Sequence, residues 1–163
     1  MAVTGARMFS VEEASRYAGG IDDPARLVSA FAGVSADGMS NGISIHGNAP
    51  HLLSWRMEGV EIPNPNHFAD ISILGGGILS SLSAQALGNS DFLTGAFPAE
   101  YGNAISGVFA VKLRNGNNLN YEHTAQIGTL GFDLASEGPI SRKNGSSYII
   151  NYRYPTLGLA EKV

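Results

Sequence analysis

Apolar residues along this chain keep two different periods. Near the N-terminus they fall at helical spacing. Ser10-Val11-Glu12-Glu13 has the form of a capping box, in which the Ser10 hydroxyl accepts from the N3 amide while Glu13 reaches back. It predicts a short helix to about Ala18, ended by Gly19-Gly20. Asp23-Pro24 predicts a second helix, with Asp23 as N-cap and Pro24 at the first helical position, where its missing N–H costs nothing. Leu27, Val28 and Phe31 then share one face, and Gly33 stops it. From Gly42 the period becomes two. Ile43 and Ile45 alternate with Ser44 and His46, and Leu53, Trp55 and Met57 alternate with Ser54, Arg56 and Glu58. Glu58-Gly59 is a turn signal. Pro63-Asn64-Pro65-Asn66 predicts an irregular loop, because each proline removes a donor and restricts the residue before it. Ile71 to Ile73 reads as a short strand stopped by Gly75-Gly76-Gly77, and Ile78 to Leu87 as a small helix or tight coil closed by Gly88-Asn89. Asp91 to Thr94 and Val108 to Leu113 read as further strands.

The last third carries longer alternation. Leu119 to Leu134 reads as one long strand whose apolar positions slip by one near Gly128, where a bulge would re-aim the faces. Gly138-Pro139 is placed in a turn, and Ser147 to Tyr154 follows as a second long strand. Its even positions, Tyr148, Ile150, Tyr152 and Tyr154, oppose the polar Asn151 and Arg153. An apolar, tyrosine-bearing face over about ten residues is the pattern of a transmembrane β-strand, and equally that of an amphipathic strand in a soluble sandwich.

Composition narrows the chemistry. Of 163 residues 21 are glycine and 15% are charged, so the chain is glycine-rich and poor in charge for a folded domain. A formal net charge of -4 leaves no electrostatic footprint for nucleic acid. No apolar run approaches the roughly 18 residues that a membrane helix needs. With no cysteine there is no disulfide, thiolate metal site or cysteine nucleophile. His46, His51, His67 and His123 lack metal-ligand spacing, and the acidic pairs Glu12-Glu13 and Asp22-Asp23 are explained by helix N-termini. No catalytic or metal-ligating residue, and no cofactor, is expected. Gly75 to Gly77 lacks the Lys-Ser/Thr that would make it a phosphate loop. Asn144-Gly145-Ser146 matches a glycosylation sequon, but Asn-Gly is first a turn signal. The two ends of the chain read as those of a piece cut from something larger.

Several short motifs, in order, resemble the plug domain of TonB-dependent outer-membrane receptors. They are Asp23-Pro24-Ala25-Arg26; Ala32-Gly33-Val34; Ile43-Ser44-Ile45-His46-Gly47; Met57-Glu58-Gly59-Val60-Glu61-Ile62-Pro63; and Phe97-Pro98-Ala99-Glu100-Tyr101-Gly102, followed by Ser106-Gly107-Val108. The resemblance implies an α+β fold: a small mixed β-sheet with short helices and long loops, followed by two long β-strands of an incomplete barrel. It implies three parts, with 1–9 a tag or pre-plug segment, 10–117 the plug and 118–163 the truncated start of the barrel. Its motif residues are Asp23, Pro24, Arg26, Gly33, Gly47, Glu58, Gly59, Glu100, Tyr101, Gly102 and Gly107.

What the resemblance implies for function is a gate, not an enzyme. The plug would block the lumen of its own C-terminal barrel in the outer membrane of a Gram-negative bacterium and rearrange on energy transduction to admit a nutrient. Partners so implied are the barrel, the energy-transducing protein TonB acting through a segment upstream, and a small-molecule, glycan or peptide substrate. A surface lipoprotein is a further candidate, and nucleic acid is not a partner. Candidates for facing substrate are Asn48, His51, Asn64, Asn66 and His67. Candidates for plug–barrel contact are Arg26, His46, Arg56 and Thr94, with His46 and Thr94 standing where the family commonly has arginine. The alternative is a freestanding cell-surface or periplasmic β-rich module that binds sugars or proteins.

Overall fold

In the computed structural model, residues 5–9, 23–36, 41–67, 76–77, 79–128 and 131–155 are described. The expected helix after Ser10, the strand Ile71 to Ile73, Gly75 and the segment after Tyr154 and Pro155 lie outside them. The chain forms two compact units, Met1–Leu113 and Arg114–Val163. The fold is α+β, a mixed sheet with, among the described residues, few helical turns and no closed barrel.

The first unit is built on five strands: β1 (Ala6–Phe9), β4 (Leu53–Met57), β5 (Val60–Ile62), β8 (Ser90–Leu93) and β9 (Gly107–Val111). Their order is β1-β8-β9-β4-β5, and only β9 and β4 run parallel. Residues 1–9, set apart on sequence as a tag or pre-plug segment, therefore contribute Ala6–Phe9 as an edge strand of the sheet. Two small pairs flank it: β2 (Val34–Ala36) with β3 (Ile43–Ile45), and β6 (Asn66–His67) with β7 (Leu79–Ser80). Pro63 to Pro65 is irregular, as the prolines require.

Alternation on β4 sends Leu53, Trp55 and Met57 to the inner face of the sheet. There Trp55 stacks on Phe109 at 4.8 Å, Phe109 meets Phe92 edge-on at 5.5 Å, and Leu27 and Val28 of the helix α1 (Pro24–Val28) close the core. The helix starts as expected, with Asp23 Oδ1 accepting from the Ala25 amide at 2.9 Å. It stops at Val28 and not at Gly33, because the Ser29 hydroxyl and amide both turn back onto the Arg26 carbonyl. The outer face carries Leu93, Val108 and Ala110 under Phe97, Tyr101 and Ala104 of the 94–106 connection. Gly107 must be glycine, since a Cβ there would lie 2.3 Å from Ile45 Cδ1 and 2.9 Å from the Leu93 carbonyl oxygen. Of the segment expected as a small helix or tight coil, Leu79–Ser80 pairs as β7 and Ala84–Ala86 forms a 3-10 turn.

The second unit is an antiparallel meander, β10 (Glu122–Gly128), β11 (Gly131–Ser141) and β12 (Ser146–Pro155). It corrects the expectation of two long strands. The slip at Gly128 is a chain reversal, not a bulge: Gly128 lies opposite Gly131 and Ile127 opposite Phe132. Pairing of Gly128 with Gly131 sets odd positions of β10 opposite even positions of β11, and that exchange is what the slip records. Gly138-Pro139 is likewise inside β11, where an irregularity between Pro139 and Ser141 tolerates the missing N–H. The turn comes at residues 142–145, with Gly145 at φ +67, so Asn144-Gly145 is a turn signal as read.

Register puts Ile127, Phe132 and Tyr154 in one row, and Ala125, Leu134 and Tyr152 in the next, on one face. Ile127 is 90% exposed and Tyr152 55%. The other face is polar: Gln126, Asp133 and Arg153, then Thr124, Ala135 and Asn151. Asn151 Nδ2 donates to Asp133 Oδ1 at 2.5 Å, and Arg114 forms a two-point ion pair with Glu137 at 2.6 and 2.7 Å.

Candidate functional site

The loop residues expected to face a substrate divide into exposed and inward-turned. His51, in a 3-10 turn over Pro50–Leu52, and His67, in β6, are exposed. Asn48 is half-buried and closes its own turn, its side chain donating to the Ile45 carbonyl at 3.0 Å while its carbonyl accepts from the Ser44 hydroxyl. Asn64 folds its amide oxygen over the Asn66 amide and side chain. Asn66 points inward and is 8% exposed, which corrects its assignment as a substrate-facing residue. Proline on either side of Asn64 bends the loop so that Asn66 reaches the interior.

There it joins a network that the sequence did not mark. Asn41, 1% exposed, donates through Nδ2 to Asp23 Oδ2 and to Asn66 Oδ1, both at 2.7 Å. Its Oδ1 accepts from the Gly77 amide and its own amide donates to the Gly77 carbonyl, each at 2.8 Å. One amide thus ties the cap of α1, β6 and the Gly77 segment.

The expected contact residues also separate. His46 is exposed, with φ 50, and with Gly47 it forms the reversal after β3. Its ring lies over Gly33, where a Cβ would come within 2.6 Å of Cε1. Thr94 is engaged by the residue before β1: its amide and hydroxyl both donate to the Gly5 carbonyl, at 2.9 and 3.2 Å. Arg26 is half-buried in the last turn of α1. Arg56 is half-buried on the outer face of β4, with its guanidinium carbon 5.0 Å from the centre of the Tyr101 ring.

The motif residues act mainly through backbone. Glu58 and Gly59, at φ 51 and 82, make the two-residue turn between β4 and β5, and Glu58 Oε1 also accepts from the Leu113 amide. Glu100 and Gly102 are exposed, in a turn closed by the Tyr101 amide on the Pro98 carbonyl. Nearby, Asp91 pairs with Lys112 at 3.0 Å. The hydrogen bond to Asp91, and then its charge, hold the ammonium above its ordinary value. Among the described residues no group of three His, Asp or Glu side chains is placed to hold a metal ion, and no helix is long and apolar enough to cross a membrane.

Two solved structures share this arrangement. One is the siderophore receptor PirA from Pseudomonas aeruginosa, 14% identical, with a TM-score of 0.54 over 86% of this chain and 26% of that one. The other is the outer-membrane transporter YddB from Escherichia coli, 17% identical, with a TM-score of 0.53 over 83% of this chain and 24% of that one. The chain has the plug-like fold of outer-membrane receptors. It spans about a quarter of the length of each. No protein-family model matches the chain, and no curated protein matches it by sequence.

Proposed function

We propose that the first unit is the gate of a TonB-dependent outer-membrane receptor and that the second is the beginning of the barrel wall around it. The observation that carries this reading is the fold likeness to a receptor and a transporter over more than four-fifths of the chain. The exposed apolar face of the meander supports it, since strands in a barrel wall present such a face to lipid and a polar face to the lumen. On this reading the protein is not an enzyme. Its partners are its own barrel, TonB acting from the periplasm, and a small-molecule, glycan or peptide nutrient. It resides in the outer membrane of a Gram-negative bacterium.

A gate must fill a lumen and still give way locally. Short strands joined by loops, with a polar network in place of part of the core, suit that requirement, because local stability falls where apolar contacts are few. The exposed His51 and His67 remain the substrate-facing candidates, and Arg26, His46 and Arg56 the contacts to the wall. The test is removal of residues 6–113 from the receptor in its membrane. The expected result is an open pore, read as entry of a large antibiotic that the intact receptor excludes. An outer membrane as tight as before would exclude a plugging role and favour the binding-module reading.

A further inference from the structure

Asparagine followed by glycine occurs three times in this chain, at Asn41-Gly42, Asn115-Gly116 and Asn144-Gly145. Asparagine is a heat-labile residue. A glycine after it puts no side chain between the carboxamide carbon and the next backbone nitrogen, so attack of one on the other is least hindered there.

The fold treats the three pairs differently. Asn41 is 1% exposed, and its side chain donates to Asp23 and Asn66 and accepts from the Gly77 amide. Those bonds fix the carboxamide, and Gly42 beside it is buried. Asn115 is exposed, but the chain on both sides of its pair is anchored: the Arg114 guanidinium and the Asn117 amide all donate to Glu137. Gly116 lies so close on β12 that a Cβ there would come within 2.0 Å of the Tyr148 carbonyl oxygen. A backbone pressed onto a strand cannot swing its nitrogen toward the neighbouring side chain. Asn144 and Gly145 escape these restraints. Both are exposed, in the turn between Ser141 of β11 and Ser146 of β12. Gly145 is at φ +67, and a Cβ there would meet nothing within 4 Å.

We propose that Asn144-Gly145 is a self-modifying site, where the folded chain converts its asparagine to aspartate and isoaspartate without an enzyme. The Gly145 nitrogen gives its proton to hydroxide and attacks Asn144 Cγ. The new C–N bond closes a cyclic imide, the Cγ–Nδ2 bond breaks, and Nδ2 leaves as ammonia after taking a proton from water. A second water then opens the ring. Opening at Cγ gives aspartate; opening at the main-chain carbonyl gives isoaspartate, whose backbone is longer by one carbon. No oxidant or reductant is involved. Either product sets a new carboxylate beside Arg142 and Lys143, the two cations of the turn. The site belongs to the second unit and stands whether or not that unit is barrel wall.

The test is incubation of the whole chain in mild detergent and mildly alkaline buffer, followed by peptide mapping with mass spectrometry and by enzymatic methyl labelling of isoaspartate. The amide-to-acid mass shift is expected several-fold faster at Asn144 than at Asn115. Asn41 should stay intact as long as Trp55 fluorescence reports the folded state. Isoaspartate and aspartate should both appear at position 144. In guanidinium chloride the three pairs should react at similar rates, because the restraints are gone. Equal rates at Asn144 and Asn115 in the folded chain would overturn the proposal. So would a lead of Asn144 that persists undiminished in denaturant, since sequence neighbours alone would then set the rate. Aspartate without isoaspartate would mean direct hydrolysis in place of ring closure, and also overturns it. Asn144→Gln, in which the attack would have to close a larger ring, should remove most of the isoaspartyl label; an undiminished label would sink the assignment.

Discussion

Asn41 shows how one residue can matter more than any motif around it. Asn41→Ala would take one of several partners from the Asp23 carboxylate and leave the Asn66 amide oxygen and the Gly77 amide short of a partner in the interior. Each of these two orphans costs about 1–3 kcal/mol, so a loss of about 2 kcal/mol or more is expected, measured by urea unfolding with the single tryptophan, Trp55, as probe. Gly107→Ala is expected to cost about 1–3 kcal/mol by overpacking, since neither Ile45 nor the Leu93 carbonyl can withdraw freely. The Asp91–Lys112 pair is the contrast. The Lys112 side chain is 56% exposed, and Lys112→Met should change stability by about 0.5 kcal/mol or less. Because the Lys112 pKa is raised, the pair's contribution is fully present below the ordinary lysine value of 10.5 and is lost only as pH rises through the raised one. Urea midpoints of the parent and Lys112→Met should therefore keep a constant small gap across the neutral range and converge in strong alkali. Gly107 was legible in the sequence as part of a motif, whereas Asn41 was not. A lone Asn before Gly looks like turn chemistry, and only the fold brings Asp23, Asn66 and Gly77 to it.

Among elements, those specified by neighbouring residues are legible in the sequence and the joins between them less so. The Asp23-Pro24 start, the alternation on β3 and β4 and the Glu58-Gly59 reversal depend on neighbouring residues alone, so the sequence contains them. The division of the last third into three strands depends on parity across a turn. A slip in parity is compatible with a bulge or with an even hairpin, and pairing decides between them. Strand β1 was invisible for another reason. Four residues without clear alternation acquire a structure only by pairing with β8, helped by Arg7 lying 5.3 Å over the Phe31 ring. Its removal gives a clear expectation. Deleting residues 1–9 should lower the urea midpoint and expose the edge of β8 to pairing with a second molecule, whereas removal of a mere tag would change neither. Urea unfolding together with sedimentation separates the two outcomes.

At the scale of the whole molecule, the two units make opposite demands on solvent. The first buries its aromatic residues on the inner face of a mixed sheet and covers the outer face with Phe97 and Tyr101. The second has three strands and one apolar face, where Ile127, Leu134, Ile150, Tyr152 and Tyr154 stand exposed, and its outer strands β10 and β12 each have one edge unpaired within that sheet. A row of unpaired backbone groups beside a large apolar patch favours association in water. In detergent the same face is expected to be covered, as it would be by lipid in a barrel wall. Light scattering should accordingly find the 163-residue chain associated in plain buffer, dispersed by a mild detergent, and monomeric in buffer once residues 119–163 are deleted. A strictly monomeric chain in plain buffer, unchanged by detergent or by the deletion, would mean that the meander satisfies its own apolar face. That result would remove the strongest physical support for reading it as barrel wall, while leaving the plug-like fold of the first unit as it stands.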